Sequence, residues 1–480
     1  MKIVYLIIVL SFLHINLISA ENYNQKKSRS SDIATQNLVR AMELTDAAVK
    51  AHFSDKRMAM ARFYNPYTKV CSKETGSIWM YTSAIEAVNA ILHALKIQKA
   101  SGNAALYNAN FERYADLLFK LYENADFYLG TFELVSYTQT NEWTVYGVNR
   151  GASKGNAEVA GIMNVYDDQM WMVREFIEAY KLTGKAEFLQ KAEYLTEYVL
   201  DGWDCTLDSK GEELGGITWG PGYVSKHSCS NGPMVSPLVW LHELYKGKDD
   251  KITHRYIEPI DQTTRKSKQL KKSEYYLDFA QKVYHWQKKN LLRADGVYDD
   301  MMGGCSPRNP ESEVVKGVNY RKGSNCTDRV GPAFTYNSGT MLSGAADLFR
   351  ATDNELYLED ARKLSESSFQ YFAKIGKDIP GYYSYDIGGF RNWFNGVLMR
   401  GYVDVAVSCN EVDKYINSFQ KNLDYAYENF LYEGFLPTNL LKGWEEDHDK
   451  NKTEGMFNFA FAAEYAVLSS YNLNKNQPKN

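Results

Sequence analysis

The sequence predicts an all-α protein whose twelve helices form six pairs in an (α/α)6 barrel. Three observations indicate this fold. Apolar residues recur at helical spacing in about twelve segments, a weak repeat marks odd-numbered helices, and dense polar motifs open even-numbered helices. Alternating β-branched runs are rare, so we expect strands only as small loop hairpins, in "GGITWGPGYVS" and "GYYSYDIGG".

The predicted helices end at ordinary stop signals, such as Thr183-Gly184. Between the sixth and seventh helices, residues 247–272 are charged and lack apolar periodicity, which predicts a surface insertion rather than a domain boundary. The predicted spans are 31–53, 78–100, 103–124, 167–183, 186–202, 233–246, 273–291, 334–351, 354–373, 393–409, 411–431 and 455–472.

The repeat lies on the odd-numbered helices. An aromatic-Leu-x-x-Ala-x-x-apolar pattern begins at Phe188, at Tyr276 and at Tyr357, and Phe111 opens a partial copy. Repeats of this kind are typical of helix-pair arrays. The fifth, seventh and ninth helices therefore appear as equivalent members of successive pairs.

The even-numbered helices open with "YDDQMW", "SCSNGPM", "TYNSGTM" and "NWFNGV". If the helices alternate in direction around a closed ring, these starts gather at one end, where loops can build a cleft over a rigid base. An open solenoid is the alternative, and it would leave its terminal helices with apolar faces to cover.

Residues 1–20 have the pattern of a signal peptide. Lys2 is followed by an apolar core that is too short for a membrane span, and Ala20 ends the segment. We expect cleavage near Ala20, secretion, and a single domain over 21–480 without a transmembrane segment. The polar ending "SYNLNKNQPKN" argues against a GPI tail.

Charge and composition exclude some partners. The net charge of -4 provides no basic field for nucleic acid or an anionic membrane. The 36 Tyr and 9 Trp residues are numerous, and such rings suit both protein cores and sugar-ring stacking. We expect a monomer.

Six cysteines in an exported chain favour disulfides. We expect the two sequence-local pairs, Cys205 with Cys229 and Cys305 with Cys326. Zinc held by Cys205, His227 and Cys229 is the alternative, but the usual CxxC clusters are absent. We therefore expect neither a metal nor another cofactor.

The adjacent acids Asp167 and Asp168 permit two interpretations. An aspartate is a favoured N-cap, and a second acid in the first turn complements the helix dipole. One cap needs only one carboxylate, however, and large aromatic residues surround the pair. Glycoside hydrolysis needs two carboxylates, which a junction of loop and helix can aim into one cleft.

Other acids compete for a functional role. Asp299 and Asp300 lie in "DGVYDDMMGG", and four more acids cluster in "WEEDHD". Solvated turns explain both segments, although the first is also suited to holding sugar hydroxyls. HExxH and GxSxG elements are missing, and "GASKGN" lacks phosphate-loop spacing, so zinc proteolysis and nucleotide chemistry are poorly supported.

An ordered set of motifs resembles glycoside hydrolase family 76, a family of endo-α-1,6-mannanases and related fungal wall transglycosidases. The set is "YDDQMW", "GGITW", "SNGP", "FTYNSGTMLSGAADLFRAT" and "FNGVLMRG". The resemblance covers most of the mature chain, from about Ile78 to Tyr471. The resemblance implies an (α/α)6 barrel, retention of configuration, no required metal and catalysis by the adjacent aspartates.

Carried onto this chain, the resemblance implies that Asp167 is the nucleophile and Asp168 the acid/base. Asp299 in "GVYDD" resembles a position that binds the sugar nearest the cleaved bond. The weaker candidates for lining the cleft are Trp219, Asn231, Tyr336, Asn337 and Arg400. Helix caps at the two asparagines and a core position for Trp219 are the alternatives.

We therefore expect a secreted endo-α-1,6-mannanase, a glycoside hydrolase that acts on α-mannan or another mannose-containing polysaccharide. Two alternatives stay open at this point: an α-mannan transglycosidase of cell-wall glycans, and a non-catalytic glycan-binding protein. The intact aspartate pair argues against the second, because binding alone does not need two adjacent carboxylates.

Overall fold

The computed structural model describes residues 30–53, 56–304 and 309–475. These residues form twelve α-helices, which confirms the predominantly helical class and the number of helices. The helices are α1 (30–52), α2 (Ile78–Ala100), α3 (Ala105–Ala125), α4 (Tyr166–Thr183), α5 (Ala186–Asp201), α6 (Gly232–Tyr245), α7 (Lys272–Leu291), α8 (Thr335–Thr352), α9 (Glu355–Phe372), α10 (Arg391–Ala406), α11 (Asp413–Phe430) and α12 (Gly455–Asn474).

The even-numbered helices contact one another in a cycle, which we call the helix ring. Each packs against the next, from α2 through α4, α6, α8 and α10 to α12, and α12 packs back against α2. The odd-numbered helices α3, α5, α7, α9 and α11 each pack on the preceding even-numbered helix. On α12, Ser469 Oγ donates to Ala34 O of α1 at 2.7 Å.

Sequence composition explains which helices lie inside. Helix α12 is apolar on every side and almost wholly buried, as a helix flanked by neighbours in the ring requires. Helix α11 buries only a stripe that includes Tyr415, Ile416, Phe419 and Leu423, at the spacing of one helix face. The other side of α11 faces solvent.

Fourteen short strands lie in the loops of the described chain. They are β1 (Phe63–Asn65), β2 (Val70–Cys71), β3 (Leu129–Val135), β4 (Thr140–Tyr146), β5 (Lys226–His227), β6 (Lys251–Ile257), β7 (Arg265–Lys271), β8 (Met301–Met302), β9 (Ser312–Val315), β10 (Val318–Arg321), β11 (Arg329–Val330), β12 (Lys374–Ile375), β13 (Tyr383–Ser384) and β14 (Thr453–Glu454). Strand β13 lies in "GYYSYDIGG", where a hairpin was expected, but its partner β12 precedes that segment. The other expected hairpin segment, 215–225, contains only isolated bridges.

The charged segment 247–272 is more ordered than its sequence suggested. It forms the antiparallel hairpin β6–β7, in register from Lys251 opposite Lys271 to Ile257 opposite Arg265. Only Ile252 and Ile257 of β6 are buried, and β7 has no buried residue, so the alternation that signals a strand is weak. Arg265 at the tip pairs with Glu313 of β9 at 2.7 Å.

The expected disulfide between Cys205 and Cys229 is wrong, because both side chains are free thiols. Cys205 follows α5 and lies in a small pocket with Tyr137 and Trp203. Cys229 precedes α6 and lines a different cavity beside Asp167. The expected partner of Cys326, Cys305, lies outside the described residues, as does the predicted signal peptide. Among the described helices, none combines the length and apolar character needed to cross a membrane.

Candidate active site

A large cavity, which we call the upper cleft, opens where the even-numbered helices begin. It encloses about 570 Å³, within the range of ligand-binding pockets. The starts of α2, α4, α8 and α10 and the loop before α6 supply most of its wall. The lining residues used below are Trp79, Asp167, Asp168, Trp171, Trp219, Tyr223, His227, Cys229, Asp300, Tyr336, Trp393 and Phe394.

Neither aspartate of the pair is a helix cap. Helix α4 begins at Tyr166, its N-cap is Val165, and no side chain caps it. The backbone N–H of Tyr166 donates instead to Trp219 O at 2.8 Å. Asp167 and Asp168 therefore occupy the first turn, where unpaired N–H groups and the helix dipole favour negative charge.

The two carboxyls differ in their affinity for protons. Burial raises the pKa of Asp167, and the Cys229 thiol and the backbone N–H groups at the start of the helix oppose that rise. Burial raises the pKa of Asp168 further, and the neighbouring charge of Asp167 adds to the effect. When the pair carries one proton, Asp168 holds it and Asp167 is ionised.

A third carboxyl, Asp300, completes the acidic wall of the upper cleft. The Tyr336 hydroxyl donates to Asp300 Oδ1 at 3.3 Å, and burial raises the pKa of Asp300 to about 6. Strand β8, which follows Asp300, pairs with β5 and β11 and holds the segment in place. Its neighbour Asp299 does not line the cleft, since Asp299 Oδ1 lies 3.7 Å from Arg293 Nη1.

Aromatic rings form the floor. The Trp393 ring meets Trp171 edge to face at a centroid distance of 4.8 Å and Trp79 at 5.4 Å. Phe394 packs 4.4 Å from Tyr336 and 5.9 Å from Trp79. Contacts of this kind fix the rings and leave their faces and edges available to the apolar sides of a sugar.

Trp219 lines one side of the upper cleft, where the sequence had placed it. Its ring stacks on His227 at 4.6 Å with an interplanar angle of 17° and lies 4.6 Å from Tyr223. Burial lowers the pKa of His227 to about 3, so this imidazole stays neutral. A neutral ring stacked on Trp219 positions the indole without adding charge to the cleft.

Three of the predicted lining residues do not line the upper cleft. Asn231 is fully buried. It accepts from Ile217 N at 2.8 Å and donates to His227 O at 2.8 Å, and these bonds fix the loop that precedes α6. Asn337 Nδ2 lies 3.5 Å from Asp299 O. Arg400 forms a buried ion pair with Glu86 below the cleft floor.

Sequence reasoning missed Asp300, Cys229, Trp171 and Trp393. Asp300 and Trp171 belong to motifs that had been singled out, but Asp299 was chosen from the first motif and the pair Asp167 and Asp168 from the second. Trp393 opens "NWFNGV", whose position at a helix start was a usable signal. Cys229 had been assigned to a disulfide or to zinc. Within the described ranges, no group of three or more His, Cys, Asp or Glu side chains is arranged to hold a metal ion.

Buried carboxyls of unequal proton affinity on an aromatic cleft are the arrangement that glycoside hydrolases use. The chain belongs to glycosyl hydrolase family 76, whose model matches residues 122–244 and 267–478. The gap between the two matched segments, residues 245–266, contains β6, the turn after it and the start of β7.

Two curated relatives are named mannan endo-1,6-alpha-mannosidase DCW1. The Candida glabrata protein is 26% identical over 183 residues, which are 37% of this chain and 32% of that protein. The Saccharomyces cerevisiae protein is 24% identical over 170 residues, 35% of this chain and 29% of that protein. The matches thus span about a third of each relative's length.

Solved structures share the fold over nearly the whole chain. A family 76 mannosidase, Bt3792 from Bacteroides thetaiotaomicron, has a TM-score of 0.67 at 19% identity, covering 92% of this chain and 100% of that chain. An inactive variant of the alpha-1,6-mannanase GH76A of Salegentibacter sp. HEL1_6, in complex with alpha-1,6-mannotriose, has a TM-score of 0.59 at 17% identity, covering 91% and 99%.

Proposed function

We propose that this chain is a secreted (α/α)6-barrel glycosidase that cleaves α-1,6-mannosidic linkages inside mannan chains with retention of configuration. The observation that carries the proposal is the Asp167–Asp168 pair. Both carboxyls lie on one helical turn in a cleft, and their surroundings give Asp168 the higher affinity for a proton. A retaining glycosidase needs one ionised and one protonated carboxyl.

The similar proteins support the choice of substrate. The two yeast relatives are named for endo action on α-1,6-mannosidic bonds. The Salegentibacter variant that binds alpha-1,6-mannotriose is inactive, and in it two consecutive aspartates are replaced by asparagine. The adjacent aspartates of this chain are the natural counterpart of such a pair.

In the first step, the ionised Asp167 carboxylate attacks the anomeric carbon of a mannose unit. Asp168 gives its proton to the glycosidic oxygen as the bond to the leaving sugar breaks, which leaves a mannosyl ester on Asp167. In the second step, Asp168 takes a proton from water, and the water oxygen displaces Asp167 from the anomeric carbon. Two displacements restore the α configuration.

The rest of the upper cleft serves to hold the sugar. Asp300 and Tyr336 face the same space as Asp167 and can accept and donate hydrogen bonds to sugar hydroxyls. Trp219 on the side and Trp171 on the floor offer apolar ring surface. We therefore assign to Asp300 the sugar-binding role that the sequence had suggested for Asp299.

Product analysis after incubation with unbranched α-1,6-mannan tests this function. The wild-type chain should release a mixture of short oligosaccharides, and an Asp167→Asn preparation should release none. Products longer than the substrate would instead indicate transfer of the mannosyl group to a second sugar. No change in the polymer would indicate a binding protein and would overturn the proposal.

A further inference from the structure

A second cavity, which we call the lower cavity, lies farther along the helix ring, toward the ends of the even-numbered helices. It encloses about 400 Å³, enough for a small ligand rather than a few waters. All six helices of the ring contribute to its wall: His93 of α2, Glu178 of α4, Trp240 of α6, Ser343 of α8, Asp404 of α10 and Val467 of α12.

Four side chains separate the two cavities. Arg400 lines the lower cavity and pairs with one oxygen of Glu86, whose other oxygen accepts from Trp393 Nε1 at 3.0 Å. Trp393 in turn packs on Trp171, and both rings line the upper cleft. A ligand in the lower cavity would therefore occupy a site of its own.

The charges around the lower cavity are balanced. Glu178 pairs with Lys181 at 3.0 Å, and Lys475 pairs with Asp413 at 2.5 Å. Asp404 accepts from Ser343 Oγ at 2.6 Å and interacts with Arg400. A balanced wall gives little advantage to an anion or a cation, but it offers donors and acceptors side by side. Hydroxyl groups, which both donate and accept, match such a wall.

The wall also has an apolar part. The Trp240 indole N–H donates to Asp347 Oδ2 at 2.9 Å, and the Lys181 ammonium lies 3.8 Å from the ring centroid, so the ring is held in place. Val467 and Val407 lie in the same wall, and Val407 is 71% exposed. Pyranose rings combine an apolar C–H face with hydroxyl edges, and a wall of this mixed character is complementary to them.

We propose that the lower cavity binds a neutral sugar, of monosaccharide or disaccharide size, independently of the upper cleft. The proposal does not depend on cleavage of α-1,6-mannan in the upper cleft. It adds a second place on the ring at which a sugar-containing molecule is held.

The test uses the full chain with Asp167→Asn, labelled with 5-fluorotryptophan and titrated with α-1,6-mannobiose. The chain has 9 Trp, and their fluorine resonances are assigned by single Trp→Phe substitutions. The Trp240 resonance should shift saturably, with a Kd on the order of 1–10 mM, as for a ligand with few contacts. The Trp219 resonance reports the upper cleft in the same sample.

Two variants locate the binding. Val407→Phe, at an exposed position, and Asp404→Asn, of unchanged shape, should each weaken the Trp240 titration at least tenfold and leave the Trp219 titration unchanged. A Trp240 resonance that does not respond in the Asp167→Asn chain, or that titrates in both added variants as it does in that chain, would overturn the proposal. Saturable shifts with sulfate at the same concentrations would also overturn it, because the cavity would then be an anion-binding site. If only Trp219 fails to respond, the proposed function is weakened and the lower site stands.

Discussion

The Trp393 indole donates a 3.0 Å hydrogen bond to Glu86 beneath the floor of the upper cleft. The other oxygen of Glu86 pairs with Arg400, and each of these two side chains is 11% exposed. One buried carboxylate thus neutralises a buried guanidinium and also fixes a ring that faces the cleft.

Removing the negative charge of Glu86 should lower the free energy of unfolding. Glu86→Gln removes the carboxylate that Arg400 contacts directly and leaves Asp404 as its acidic neighbour, and breaking a buried pair costs about 3–5 kcal/mol. We expect a loss of this size in the free energy of unfolding, measured by urea denaturation. The double variant Glu86→Gln/Arg400→Met removes both charges and keeps an acceptor for Trp393, so most of the loss should be recovered. A double variant as unstable as the single one would contradict this account.

The neighbouring residues Asp299 and Asp300 of "GVYDD" should differ clearly in their effect on activity. Asp300→Asn removes a charged hydrogen-bonding group from the cleft, worth about 1.5–3 kcal/mol, so kcat/KM on α-1,6-mannan should fall about 10- to 100-fold. Asp299→Asn is the matched control and should stay within about twofold, because its carboxylate is directed to Arg293. Equal losses in the two variants would refute the assignment of Asp300.

The pH dependence of kcat/KM should reflect the protonation of Asp167 and Asp168. Asp167 must be ionised and Asp168 protonated, so the rate rises as Asp167 loses its proton and falls as Asp168 does. Both pKa values are raised by burial, so the acidic limb should lie above the usual carboxyl range of about pH 4. An optimum with its acidic limb at or below that range would contradict the burial of the pair.

Cys229 gives a finer test of the acidic limb. Its thiol hydrogen bond lowers the pKa of Asp167, so Cys229→Ala should move the acidic limb to higher pH. Cys229→Ser keeps a donor and should restore the limb to near its wild-type position. If the acidic limb lies at the same pH in Cys229→Ala and Cys229→Ser, the thiol does not act on Asp167.

Replacing Asp168 with Asn should stabilise the folded chain although it lowers the activity. The folded-state pKa of Asp168 is raised, so ionisation penalises the folded chain once the pH exceeds the unfolded pKa of about 4. Asp168→Asn should therefore raise Tm at neutral pH, and the gain should shrink as the pH falls toward that value and be absent below it. Calorimetry at several pH values measures this difference, and a variant less stable at neutral pH would exclude a buried charge penalty.

Much of the architecture could be predicted because helix periodicity and stop signals are local. The predicted and observed α4 agree within one residue, and the polar motifs identified the end of the ring where the upper cleft lies. The hairpin β6–β7 was missed because its stability comes from contacts elsewhere, such as Arg265 with Glu313. Its sequence contains little alternation.

The errors in the site have two physical causes. Asp299 and Asp300 lie in the bend just before β8, and the sequence did not reveal which of the two faces the cleft. Arg400 lies seven residues beyond Trp393 on α10, about 10 Å deeper at 1.5 Å per residue, so helix geometry alone would have excluded it. The pocket positions of Cys205 and Cys229 depend on the tertiary fold and have no sequence signal.

The assignment of Asp167 as nucleophile and Asp168 as acid/base is tested most directly with Asp168→Ala, an activated α-mannoside and added azide. A good leaving group needs little protonation, so the mannosyl ester on Asp167 should still form, and azide should then resolve it without a general base. The account predicts that this variant loses about 10²- to 10⁴-fold activity on polymer and yields mannosyl azide of retained α configuration. Product of β configuration, or near-normal cleavage of polymer by this variant, would contradict the account.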